Sequence, residues 1–171
     1  MRRKHQITLS ILLVVILLEF SFLAKDYITT NEGGDNNLAA VISGVLTTLT
    51  NEQRIANNLP TLSPNELLEK AAQMQADDMA TKGYFAHTSP DGKSPWYWLE
   101  LAGYEYSYAG ENLAVNFFES EDVAKAWMNS PKHKSNIIKK NFTEIGIATS
   151  TGMYKGKNAV FVVQFFGTPI K

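Results

Sequence analysis

The sequence predicts an α+β domain, with helices first and paired strands late. Apolar residues recur at helical spacing after residue 37, and proline, serine and glycine signals bracket those stretches. Near the C-terminus the period changes to two. Ile145, Ile147 and Thr149 alternate with Gly146 and Ala148, and Val160 to Phe166 is nearly all apolar.

The chain has 171 residues, enough for one domain with a real core and a short extra segment. Hydrophobic residues make up 44% and charged residues 19%, a globular composition. There is no cysteine, so neither a disulfide nor thiol chemistry is available and the core alone must hold the fold. The net charge of −1 hides an asymmetry. Arg2, Arg3, Lys4 and Lys25 against Glu19 give the first 25 residues +3, which leaves −4 on the rest. A mildly acidic body without a basic stripe argues against nucleic acid as a partner.

Arg2, Arg3 and Lys4 precede an apolar run from Ile7 to Leu23, broken by Thr8, Ser10 and Glu19. Positive charge ahead of such a run reads as an N-terminal membrane anchor or a secretory signal over residues 1–25. A helix of this length covers about 25 Å, just short of a hydrocarbon core. Ala24 is small enough for a cleavage site, but Phe22 stands where a second small residue is wanted, which favours the uncleaved anchor. The positive-inside rule puts the Arg-Arg-Lys end in the cytoplasm and the domain outside. Residues 26–37 are polar with paired glycine, Gly33 and Gly34, and read as a flexible tether. The domain is then 38–171.

Within it, Val41, Val45, Leu49 and Ile55 predict a helix over Leu38 to Asn58, ended by Leu59-Pro60. Ser63-Pro64-Asn65-Glu66 reads as a capping box, with Ser63 as N-cap and Pro64 in the first position. The helix it opens runs through Leu68, Ala71, Met74, Ala76 and Met79 to Lys82, with Gly83 as its stop. Ser94-Pro95 starts a short helix that ends at Gly103. Ser120-Glu121-Asp122 starts another, through Val123, Ala126 and Trp127, and Ser130-Pro131 a third, through His133 and Ile137. Trp127 and Ile137 lie on apolar stripes and are core candidates. The C-terminal strands form a hairpin, turning over Gly152 to Gly156, with a place in the middle of a sheet covered on both faces.

Two histidines, His87 and His133, and the glutamate Glu111 between them are the chemistry-bearing candidates. Histidine titrates near neutrality and is a common metal ligand. Intervals of 24 and 22 residues are too long for one loop, so any shared site must be assembled by the fold. On local evidence alone, two partly exposed histidines with structural hydrogen bonds and a loop glutamate fit the spacing better than a shared site does. The helical two-histidine signature of zinc proteases is absent, as are a phosphate loop and a nucleophile elbow. Ser89 and Ser135 read as turn and cap residues.

Four segments nevertheless occur in a recognisable order: Phe85-Ala86-His87-Thr88-Ser89-Pro90-Asp91-Gly92, Gly110-Glu111-Asn112-Leu113-Ala114, Trp127 to Ile137, and Phe142-Thr143-Glu144-Ile145-Gly146-Ile147. Together with Leu49, Asn51, Arg54 and Leu62 they resemble the CAP superfamily of cysteine-rich secretory, antigen 5 and pathogenesis-related proteins. The match is to its short, cysteine-free bacterial branch. The resemblance implies a three-layer α-β-α sandwich (the CAP or SCP domain) with a shallow cleft. It carries His87 and His133 onto the two family histidines and Glu111 onto the glutamate of the Gly-Glu-Asn motif. Ser130 stands where many members have a further glutamate, and Glu144 is similar to a glutamate common in bacterial members.

The resemblance implies that His87, Glu111 and His133 share a cleft able to take a divalent metal ion, zinc first. Two imidazoles and a carboxylate leave a coordination position open to water, or Glu111 orients one imidazole from behind. Three functions are compatible: an extracellular binding module for a small lipid or peptide ligand, a metal-dependent hydrolase with Glu111 as base, or a structural envelope domain. The lack of a separate nucleophile favours the first. Ligand and oligomeric state are left open.

Overall fold

The computed structural model describes residues 41–170; the anchor expected over 1–25, the tether over 26–37 and the first turn of the expected helix at Leu38 lie outside them. The elements are α1 (Ser43–Ala56), β1 (Ser63–Pro64), α2 (Glu66–Lys82), α3 (Pro95–Ala102), β2 (Tyr106–Val115), α4 (Ser120–Asn129), α5 (Pro131–Ile137), β3 (Glu144–Tyr154) and β4 (Lys157–Pro169). The strands form one sheet in the order β1-β3-β4-β2. β1 runs parallel to β3, and the other pairings are antiparallel.

The near-continuous apolar run of β4 is explained by its central place. Phe161, Val163 and Phe165 pack on one face with Leu68, Ala72, Ala76 and Met79 of α2 and with Trp98 and Leu99 of α3. Val160, Val162 and Phe166 pack on the other with Leu46 of α1, Trp127 of α4 and Ile137 of α5. Helices therefore cover both faces, and the domain is α+β in three layers. Trp127 is 1% exposed and its indole N–H donates to Leu113 O at 3.0 Å.

Three local expectations change. Ser63 does not cap α2. Asn65 does, its side-chain oxygen accepting from the amides of Leu67 and Leu68 at 2.9 and 3.2 Å. Ser63 and Pro64 instead form β1. Ser63 and Asn65 donate to Thr143 O and Ile145 O, and Pro64, which has no N–H, falls between the two donors. The hairpin turn is only Lys155-Gly156, both at positive φ (51° and 78°), between the paired Tyr154 and Lys157. Gly152 is a strand residue. A Cβ there would sit 2.3 Å from Ala80 O, and one at Gly146 would sit 2.2 Å from Glu69 N, so these glycines let α2 lie close on β3. The third change is β2, which carries Glu111. Its pattern hides it, because Glu111 and Asn112 are polar yet buried at 6% and 0%.

Gly83 and Gly103 close α2 and α3 in the left-handed conformation, as expected. Arg54 on α1 is fully buried. It donates to Pro60 O, Ile137 O and Lys139 O, each at 2.9 Å, and to Phe142 O at 3.2 Å.

Candidate functional site

The pleat of β2 turns consecutive residues to opposite faces. Glu111, paired with Phe165, faces α2, and Asn112, paired with Gln164, faces α5. Asn112 Nδ2 donates to Gln164 Oε1 at 3.0 Å and to His133 O at 3.3 Å. Asn136 of α5 donates to Asn112 Oδ1 and to Glu111 O, and Gln164 donates to Thr50 Oγ1 of α1 at 2.8 Å. This buried chain of amides locks the strand that carries Glu111 to the helix that carries His133. Gly110 makes the approach possible, since a Cβ there would lie 2.7 Å from the Phe142 ring.

His87 comes from the loop after α2. The loop is tied down by the Tyr84 hydroxyl, which donates to Asp78 at 2.7 Å, and by Lys82, which pairs with Asp78 and Asp91. Ser89 is buried in its turn and accepts from the Lys93 amide, the turn role expected of it. The Ser135 hydroxyl does not cap a helix end; it donates to Lys132 O within α5.

His87 Nδ1 shares a hydrogen bond with Glu111 Oε2. The imidazole side chain is 60% exposed and the carboxylate side chain 3%. The Glu111 hydrogen bond raises the His87 pKa, against a smaller lowering by burial. Burial raises the Glu111 pKa, and the bond from His87 offsets it only in part. Both directions favour keeping a proton on the pair. His133 is half-buried and shifts the opposite way, lowered first by burial and then by the charge on His87. The two histidines are thus electrostatic neighbours whose pKa values are pushed apart.

The structure joins His87 to Glu111 directly and ties His133 to the same strand through its backbone carbonyl. Glu144 is engaged elsewhere, accepting from the Tyr104 hydroxyl at 2.6 Å and from Asn65 Nδ2 at 3.2 Å. Ser130 sits at the start of α5, its amide donating to Ala126 O and Trp127 O and its side chain making no cap bond. Sequence reasoning missed Gln75. It is fully buried, donates to His87 O at 3.5 Å and lowers the Glu111 pKa slightly. Its signal was a polar residue on the stripe of Ala71 and Met79, where helical spacing calls for an apolar one.

With Oε2 of Glu111 committed to His87, the nitrogen donors left for a ligand are His87 Nε2 and the His133 ring. Among the described residues no group of three or more His, Cys, Asp or Glu side chains is placed to hold a metal ion. The donor set therefore does not fit a closed, resident metal centre, and at most suits an ion held by two imidazoles with Glu111 behind one of them. Among the described residues, Oε1 of Glu111 and Oε1 of Gln75 are buried with no hydrogen-bond partner.

This fold and these residues meet in one family. The sequence matches the profile of the CAP, or cysteine-rich secretory protein, family over residues 47–166, and the chain belongs to that family. It is 40% identical over 119 residues to the uncharacterized protein YkwD of Bacillus subtilis, covering 70% of this chain and 44% of that one. It is 27% identical over 106 residues to the uncharacterized membrane protein YlbC of the same organism, covering 62% and 31%. The chain thus spans less than half the length of these curated relatives. Among solved structures it is similar to an extracellular SCP-domain protein of Bacillus anthracis, with a TM-score of 0.63 and 28% identity, covering 73% of this chain and 39% of that one. An outer surface protein of Borrelia burgdorferi gives a TM-score of 0.64 and 28% identity, covering 74% and 92%.

Proposed function

We propose that the domain is a binding module displayed outside the cytoplasmic membrane. In this reading residues 1–25 anchor or export it, and His87, Glu111 and His133 form the polar end of a cleft for a small lipid or peptide ligand. A divalent ion such as zinc is an exchangeable companion rather than a fixed part. The names of the extracellular and outer-surface structures support the placement outside, and the word membrane in the name of one relative fits an anchor.

The observation that carries the reading is the union of a buried carboxylate with an exposed imidazole. Burying a carboxylate costs several kcal/mol, and the partner that offsets this cost contributes little packing. Such an arrangement fixes an imidazole for something outside the chain. The hydrolase reading is weaker. Glu111 is too enclosed to reach a substrate, and the Ser89 and Ser135 hydroxyls serve the backbone.

Calorimetric zinc titration of the full-length protein tests the site. We expect one weakly held ion, with affinity rising with pH because imidazolium cannot coordinate. His87→Ala and His133→Ala should each lower affinity at least tenfold, and Glu111→Gln less. No heat at neutral pH, or heat unchanged in both histidine variants, removes the metal. External protease on intact cells should release residues 38–171, and a fully protected chain would overturn the placement.

A further inference from the structure

We infer that the open edge of β3 is a second binding site, separate from the histidine cleft, which takes an extended peptide as an added strand. β1 pairs with only the first residues of β3. The ladder stops because Asn65 turns into α2 and its carbonyl accepts from the Glu69 amide, so it is lost to Ile147. Ser63 and Asn65 donate to Thr143 O and Ile145 O. By the alternation of a strand, the main-chain groups of Ile147, Thr149 and Thr151 then point to the same open side.

Beyond Asn65 no main-chain partner among the described residues meets this edge. Gln73 of α2 donates a side-chain N–H to Thr149 O at 3.3 Å, the sort of side-chain cover that edges attract. Along the same stretch lies a groove of about 670 Å³, with β3 as its floor and α1 and α2 as its walls. β1 already occupies one end of this slot in extended form.

The occupant follows from the chemistry of the floor. Donors and acceptors repeated every second residue are matched by another main chain and by nothing smaller. On the α1 wall Thr47 and Thr48 donate their hydroxyls to Ser43 O and Gly44 O, so beside Gly44 the wall offers methyl groups and room for small apolar side chains. On the α2 wall Glu66 and Glu69 outnumber Lys70, so it suits basic ones. A strand with small apolar residues on one face and lysines on the other satisfies both.

An alternating valine–lysine pentapeptide, blocked at both ends, is the probe. Added to the full-length protein, it should bind saturably and slow amide exchange at Ile147 and Thr149. N-methylation of one alternate set of its amides should cut affinity at least tenfold, and methylation of the other set should leave it within twofold. Gly44→Trp projects into open space and should fill the groove and abolish binding. Four results overturn the inference: no saturable binding at millimolar peptide, equal loss from both methylated sets, Ile147 and Thr149 amides already protected without peptide, or full affinity in a folded Gly44→Trp variant.

Discussion

His87 and Glu111 share a hydrogen bond across the boundary of the domain, with the imidazole in solvent and the carboxylate beneath it. The partner that raises the His87 pKa is one side chain, so its removal has a defined consequence. In the native protein we expect His87 to titrate above about 6.5, the ordinary value, and His133 below it. In Glu111→Gln the remaining influences on His87, burial and Lys132, both lower it, so its pKa should fall through the ordinary range. His133, relieved of a charged neighbour, should rise toward it. Proton NMR titration of the ring resonances reads both. A His87 pKa unmoved by Glu111→Gln would mean that the pair is not formed in solution.

The same shifts set the sign of the pH dependence of stability. The raised pKa of folded His87 stabilises the fold fully below about pH 6.5, and this contribution fades as pH climbs through the folded value. His133 acts oppositely, because its lowered folded pKa costs stability as pH falls below about 6.5. The two contributions partly cancel in the native protein. Glu111→Gln leaves both histidines lowered, so its melting temperature should drop more steeply between pH 7 and pH 5 than that of the native protein.

Trp127 tests the packing of the core. It is almost wholly enclosed between α1 and the sheet, and its indole N–H is satisfied by Leu113 O. Trp127→Ala should cost about 3–5 kcal/mol, which consumes much of the stability of a domain this size. Trp127→Phe keeps a ring but leaves Leu113 O without its donor, and should lie between the two. Urea unfolding gives the order. A Trp127→Ala variant as stable as the native chain would place the indole on the surface.

What was legible in the sequence was whatever a local rule governs. Gly83 and Gly103 announce helix ends because positive φ excludes most other residues, and the β3 and β4 apolar runs announce a doubly covered hairpin. β2 escaped because its central residues are polar and buried at once. Glu111 is held by His87, 24 positions away in sequence, and Asn112 by Gln164, 52 away, so no window along the chain contains the reason for either. Asn65 took the cap from Ser63 for a similar reason, since the demand for Ser63 in a strand comes from Thr143. The histidines and Glu111 were identifiable by motif order. Gln75, and the engagement of Glu144 by Tyr104, required the fold.

Arg54 offers the last prediction. Its guanidinium is fully buried and meets four carbonyl oxygens, two of them from the end of α5 and the residues just past it. The negative end of a helix and four acceptors replace a carboxylate partner. Burial lowers its pKa, yet an arginine stays charged at any working pH. The planar fork matters as much as the charge, because it reaches Pro60, Ile137, Lys139 and Phe142 at once. Arg54→Lys keeps the charge but gives one ammonium the work of a spread fork, so at least two carbonyls should lose their donor. At about 1.5–3 kcal/mol for each charged hydrogen bond, we expect a loss of at least about 3 kcal/mol. Arg54→Met removes the charge and strands all four carbonyls, and should lose at least as much. Urea unfolding of both variants, with amide exchange at residues 137–142, reads the outcome. Native stability in Arg54→Met would show that water satisfies those carbonyls and that Arg54 is not the joint between α1, α5 and the start of β3.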